Sequence, residues 1–207
     1  MRSHCYARLV PRTADHELNR TTLSRAAWDL IARGGLEEVS LRSVAAEAGV
    51  SMGRVQYYFR TKDDLLLFAL QDAHRRMEQR IAARLSDEPD DDPRAALVAV
   101  LDELLGGDPE TRDAIRVHLA YAARAREDER LAEVLVEGDD ELLALAVHVV
   151  ALAKEAGRVG ADVDPSLDGQ ALWVLARGLG TDVALYRLPI ERAREILAHA
   201  IRRVAPA

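Results

Sequence analysis

Apolar residues recur three and four positions apart through Leu23, Ala26, Ala27, Leu30 and Ile31, and the pattern stops at Gly34-Gly35. That period predicts an amphipathic helix from about Thr22, and the glycine pair supplies its C-terminal stop. Ser40 is placed to N-cap a second helix with Leu41, Val44, Ala45 and Ala48 inward, ending at Gly49. Only Gly49 and Val50 precede Ser51, a further N-cap opening a third helix through Phe59. Two short helices joined by so tight a glycine turn predict a helix-turn-helix.

The periodicity resumes after Thr61-Lys62-Asp63-Asp64, which predicts a long fourth helix to about Arg84 with Leu65, Leu66, Phe68 and Ala69 as its first apolar residues. An acidic loop, Ser86 to Pro93, precedes a helix to Leu105 in which Asp92 is N-cap and Pro93 the first helical residue. Further helices are expected over 109–126, 128–157, 165–186 and 189–204, with Gly138 as a kink or interruption in the second of these. No segment alternates apolar and polar residues as a half-buried strand would. The expected fold is all-α, about nine helices: an arm over residues 1–20, a three-helix helix-turn-helix domain over 21–66, and a larger helical domain over 67–207.

Charge adds a division between these parts. Residues 1–65 hold ten Lys/Arg against eight Asp/Glu, whereas the rest holds eighteen against twenty-seven. An acidic body stays clear of phosphates while the slightly basic front permits them. The single cysteine, Cys5, makes no internal disulfide, and no Cys/His cluster has metal-site spacing, so no metal or cofactor is expected. The longest apolar run, Leu142 to Ala153, is interrupted by His148 and is shorter than the roughly 20 residues of a membrane span. The charged opening MRSHCYARLVPR lacks the apolar stretch of a secretory signal, which points to the cytoplasm.

A recognition helix in the DNA major groove needs polar residues on its outer face. In the third helix Val55 and Phe59, four apart, turn inward, leaving Arg54, Gln56 and Tyr57 to point elsewhere. Arg54 has the fork that bonds guanine O6 and N7, and Gln56 the amide that pairs with adenine. Gly53 permits close approach to the DNA backbone, Tyr57 and Tyr58 offer hydroxyls to phosphates, and Lys62 opens the fourth helix, where an ammonium and free N–H groups together suit one phosphate. Arg42 is a further candidate for a base or phosphate. The arginines at 2, 8, 12 and 20 fit either a minor-groove arm or a frayed terminus.

The run LSRAAWDLIARGGLEEVSLRSVAAEAGVSMGRVQYYFRTKDDLL, and above all AGVSMGRVQYYFRTKDDLL, resembles the DNA-binding domain of the TetR family of transcriptional repressors. The resemblance implies that Arg42, Gly53, Arg54, Gln56, Tyr57, Tyr58 and Lys62 face DNA; Ser51 and Met52, at the start of the same helix, are candidate contacts beside them. Met52 departs from it, since the family often has lysine there; a methionine reaches a thymine methyl instead of a phosphate. The C-terminal part, with GRVGADVDP before one helix and PIERAREIL in the next, is similar to the BetI-like subgroup of that family.

Helix-turn-helix proteins bind palindromes as dimers. The homodimer interface is expected within 165–204, where ALWVLARGLGTDVALY combines large apolar residues with Gly178 and Gly180, and Ile190, Ala193, Ile196, Leu197, Ala200 and Ile201 form one stripe. The resemblance implies a four-helix bundle with the second copy and a small-molecule effector that releases the palindromic operator. Polar groups among apolar helices, namely His118, Tyr121, His148 and Trp173, are the candidate effector contacts. His148, deep in an apolar run, reads as a hydrogen-bonded core histidine or a ligand-orienting one. Trp28 reads as core of the first domain.

An enzyme is disfavoured: no Glu-x-x-His pair, phosphate loop or nucleophile elbow occurs. A helical adaptor that has lost DNA binding is disfavoured by retained Arg54, Gln56 and Lys62.

Overall fold

The computed structural model describes residues 12–87 and 92–205. Among them are nine α-helices: α1 (Arg12–Gly34), α2 (Leu41–Glu47), α3 (Met52–Tyr58), α4 (Lys62–Asp87), α5 (Pro93–Leu101), α6 (Pro109–Ala125), α7 (Glu129–Glu155), α8 (Pro165–Leu185) and α9 (Ile190–Val204). Two 3-10 turns, Leu36–Glu38 and Asp102–Leu105, complete the described elements. The chain divides into two compact units at Ala69 and Leu70, inside α4.

In the first unit the periodic residues become a core. Leu23, Ala27 and Ile31 of α1, Val44 and Ala45 of α2, Val55 of α3 and Leu65, Leu66 and Phe68 of α4 are buried, as is Trp28. Each fully buried Leu or Val removes apolar surface worth roughly 1.5 to 3 kcal/mol from water. The start of α2 is fixed twice over, because the Ser40 side chain accepts from Ser43 N–H and Ser43 Oγ accepts from Ser40 N–H. Glu47 at its far end accepts two hydrogen bonds from Arg33 of α1, 2.7 and 3.1 Å long, which hold its carboxyl below the usual range.

The expected arm over residues 1–20 is corrected in its second half: α1 begins at Arg12, ten residues before the apolar pattern does. Tertiary contacts made by polar residues account for this. The Arg20 guanidinium lies 3.9 Å from the centre of the Phe68 ring and 5.4 Å from that of Phe59, so Arg20 packs on the first unit's aromatic core instead of serving a free arm. Arg2 and Arg8 lie outside the described residues, and the Arg12 side chain is likewise outside them.

In the second unit α7 and α8 pack along each other, flanked by α5, α6 and α9. Leu97, Val100 and Leu101 of α5, Leu142, Ala146 and Val150 of α7, Leu172 and Ala176 of α8 and Ala193, Leu197 and Ile201 of α9 form the core. Most of the α9 stripe expected at a dimer interface is therefore spent internally. The two α8 glycines also part company: a side chain at Gly180 would overlap the carbonyl oxygen of Leu104, whereas Gly178 faces open space. α5 stops at Leu101, short of the expected Leu105, and the chain continues as the 3-10 turn. There Glu103, fully buried, pairs with Arg80 and Arg84 of α4, and Asp102 takes two bonds of 2.8 and 3.0 Å from Arg194 of α9. Leaving the buried Glu103 carboxylate without its cations would cost about 3 to 5 kcal/mol, whereas the half-exposed Arg194 contributes far less.

Candidate DNA-binding surface and interior polar site

The turn at Gly49–Val50 and the Ser51 cap, whose side chain accepts from Arg54 N–H, set α3 on its bed. Val55 is fully buried and Phe59, which caps the helix end, is 2% exposed, so those two residues fix which face of α3 looks outward. Ser51, Met52, Gly53, Arg54, Gln56 and Tyr57 are all on that exposed side, Tyr57 at 74%. Tyr58 is half-buried, with its ring edge-to-face against Tyr57 at 5.0 Å between centroids. Arg42 is exposed near the start of α2.

Two of the expected DNA contacts have protein partners. The Arg54 guanidinium donates to Asn19 Oδ1 of α1 at 2.5 Å. Lys62 Nζ donates 2.7 Å to the carbonyl oxygen of Leu36, joining the 3-10 turn to the start of α4. The N-terminus of α4 is less open to an anion than the sequence suggests. Thr61 Oγ1 already accepts from Asp64 N–H at 3.0 Å, and Asp63 and Asp64 place two carboxylates in the first turn. Arg54 and Lys62 keep further donors, five N–H groups on a guanidinium and three on an ammonium, so each can bind outward while keeping its inner partner.

In the second unit the sequence-predicted interior residues separate. His148 is exposed on α7, which corrects its reading as a core histidine: the apolar run is a helix with one face in solvent, and His148 falls on that face. Tyr121 is fully buried on α6, and burial pushes its phenol far above the ordinary range, so it stays neutral. Trp173, on α8, is 7% exposed, and its buried indole N–H finds no hydrogen-bond partner among the described residues. His118, half-buried on α6, keeps company that the sequence did not announce.

That company is His74 of α4, Asp139 of α7 and Arg177 of α8. Arg177 Nη1 donates 2.8 Å to Asp139 Oδ2, and its guanidinium carbon lies 4.3 Å from the centre of the Trp173 ring. Burial lowers the pKa of His118; the Asp139 charge opposes that and the Arg177 charge adds to it. Burial also lowers the pKa of His74, followed by the effect of His118. Two imidazoles with lowered pKa thus lie near a partly exposed Arg–Asp pair, whose guanidinium covers the Trp173 ring. Gly138 explains how His74 fits: α7 runs unbroken through it, and any side chain there would overlap the imidazole of His74. The mid-helix glycine, expected as a kink, is a seat for a ring. Among the described residues no group of three His, Cys, Asp or Glu side chains is arranged to hold a metal ion.

A short helix presenting arginine, glutamine and tyrosine from a tight two-helix turn, ahead of a separate helical body with buried polar groups, defines a DNA-binding regulator. Comparison with known proteins agrees. Residues 23–69 match the N-terminal model of the bacterial regulatory proteins of the tetR family, and residues 93–206, more than half of the chain, match that of the BetI-type transcriptional repressor C-terminal domain. The chain belongs to the TetR family of transcriptional regulators, with a BetI-type body, and is not an enzyme.

The HTH-type transcriptional regulator PksA of Bacillus subtilis is 26% identical over 187 residues, covering 89% of this chain and 88% of its own. A solved regulator from Saccharomonospora viridis in complex with choline superposes with a TM-score of 0.83 at 24% identity, covering 92% of this chain and all of that one. The multidrug binding protein EbrR, solved with imidazole, is 31% identical with a TM-score of 0.59, covering 91% and 96%. No described helix is long and apolar enough to cross a membrane.

Proposed function

We propose that this regulator is a cytoplasmic repressor that binds a palindromic double-stranded operator as a homodimer and releases it when a small molecule enters the second unit. Arg54 and Gln56 read bases; Arg42, Ser51, Gly53, Tyr57, Tyr58 and Lys62 hold the backbone; Met52 meets a thymine methyl. The observation carrying this reading is the outward face of α3, where Met52, Gly53, Arg54, Gln56 and Tyr57 are exposed together while Val55 and Phe59 are buried.

Dimerisation is supported by α8. Leu167, Ala171, Val174, Gly178 and Leu185 are exposed at helical spacing, a stripe of apolar and small residues on the solvent side of a helix whose other side is core. A helix wet on such a face is the kind of surface that a second copy covers. α9 contributes less than its sequence suggests, because Ala193, Leu197 and Ile201 are buried within the subunit. The effector is supported by His118, Tyr121 and Trp173, polar groups set among apolar helices; the exposed His148 drops out.

Selection of bound fragments from a random DNA library tests the reading. A motif with two-fold symmetry and half-sites roughly 34 Å apart is expected. Recovery of unsymmetrical sequence, or of none, refutes it.

A further inference from the structure

Consecutive residues of α1 meet α3 at its two ends. Asn19 Oδ1 accepts from the guanidinium of Arg54, the third residue of α3, and the Arg20 guanidinium lies 5.4 Å from the ring centre of Phe59, the C-cap. The same guanidinium is 3.9 Å from the centre of the Phe68 ring of α4, and the two rings stand 5.5 Å apart, tilted by 46°. Arg20, Phe59 and Phe68 thus form one stack that ties the end of α3 to both α1 and α4.

The recognition helix depends on such ties. It is seven residues long, with Val55 as its buried residue, and a helix so short takes its placement from tertiary contacts. A turn of α3 about its axis would carry Arg54, Gln56 and Tyr57 together, and hydrogen bonds to base edges weaken steeply when misaligned. Filling space does not account for Arg20. Its Nε is buried and has no hydrogen-bond partner among the described residues, which lowers stability, whereas an aliphatic side chain would fill the same space without that loss. What a guanidinium adds is a flat, charged fork that stacks on aromatic faces. We infer that Arg20 is a positioning residue of the DNA reader, paired with Asn19 at the other end of α3. It seats the C-terminal end of the helix, so base selectivity depends on the part of α1 that precedes its apolar pattern. The assignment of α3 as the reading helix, made above, is what this role rests on.

Arg20→Met keeps a long stem and removes the fork and the charge. Its binding to the selected operator and to a scrambled duplex is measured across salt concentrations, at a temperature where circular dichroism shows the variant folded. Operator affinity is expected to fall roughly 3- to 10-fold, the range of a partly buried cation–π contact, with scrambled-duplex affinity changed by less than about twofold and the salt slope unaltered. Preference should shrink at every base pair read from α3, in contrast to the single pair affected by Arg54→Ala. Equal weakening on both duplexes, with a salt slope lower by roughly 0.9 per subunit, would make Arg20 a phosphate contact and overturn the role. Unchanged operator affinity would overturn it too, leaving the stack as core packing alone.

A second measurement needs no DNA. In the 15N-labelled full-length protein, Arg20→Met is expected to move the amide resonances of residues 54–59 while those of the second unit stay in place. Unmoved α3 amides defeat the positioning role even where an operator is still selected. Moved amides in a chain that selects no symmetric motif defeat the operator reading and leave the seat of α3 standing. Should Arg20→Met fold poorly, Arg20→Lys replaces it in both measurements, since an ammonium keeps the charge without the plane that spans two rings. A loss of about threefold on the operator alone is then expected, and an unchanged ratio of operator to scrambled affinity overturns the role.

Discussion

Arg54, the side chain best suited to read a base, donates a hydrogen bond to Asn19 of α1. The bond orients a long, rotamer-rich side chain before DNA arrives, which lowers the ordering cost of binding. Arg54→Ala is expected to remove roughly 1 to 3 kcal/mol of discrimination at one symmetric base pair. Asn19→Ala should keep that preference and weaken operator affinity only severalfold. Competition binding against operators substituted at each position checks both. Equal weakening on every sequence by Arg54→Ala would make it a backbone contact.

Lys62 works in two directions, and the two are separable. Its bond to the Leu36 carbonyl holds the 3-10 turn against α4, so Lys62→Met should lower unfolding stability by about 1 kcal/mol. Its outward charge should show as a salt slope of binding reduced by roughly 0.9 per subunit, the same for all sequences. Lost stability with an unaltered salt slope would leave Lys62 a structural residue alone.

Legibility in the sequence followed the kind of force involved. Helices whose apolar residues recur at 3.6 could be read, with most ends marked by Ser40, Ser51, Asp92, Pro109, Asp128 and Pro165, because caps and periodicity are local properties. The first ten residues of α1 could not, since Asn19 and Arg20 act through distant partners, Arg54 and Phe68. His118, Tyr121 and Trp173 were visible as polar residues in apolar helices; nothing local singles out His74, Asp139 or Arg177, whose neighbours come from other helices. His148 misled because a run of apolar letters conceals which face of a helix is wet. The one local signal for His74 lay elsewhere, in a glycine at position 138 of an otherwise strong helix.

That glycine can be tested directly. Gly138→Ala improves helix propensity by roughly 1 kcal/mol, so propensity alone predicts stabilisation. The overlap with the His74 imidazole predicts the reverse, a net loss of about 1 to 3 kcal/mol. In a His74→Ala background the same substitution should become neutral or stabilising. Urea unfolding of the four proteins in the cycle measures the coupling. The same cost in both backgrounds would show that the ring does not occupy the space above Gly138.

The paired histidines also give the body a pH signature with a definite sign. Burial, reinforced for His74 by His118, depresses both pKa values in the folded protein. As pH falls through about 6.5, the unfolded chain therefore takes up protons that the folded chain refuses. Stability from these groups is complete above that pH and declines as pH drops toward the lowered folded values. Asp139 and Glu141 oppose the shift at His74; at His118, Asp139 opposes it and Arg177 adds to it. Carboxylates elsewhere also contribute to acid sensitivity, so the informative quantity is a difference. Between pH 7.5 and pH 5 the urea midpoint should fall more for the unaltered protein than for His74→Asn/His118→Gln. Equal falls would mean that both imidazoles ionise as freely in the folded body as in the open chain.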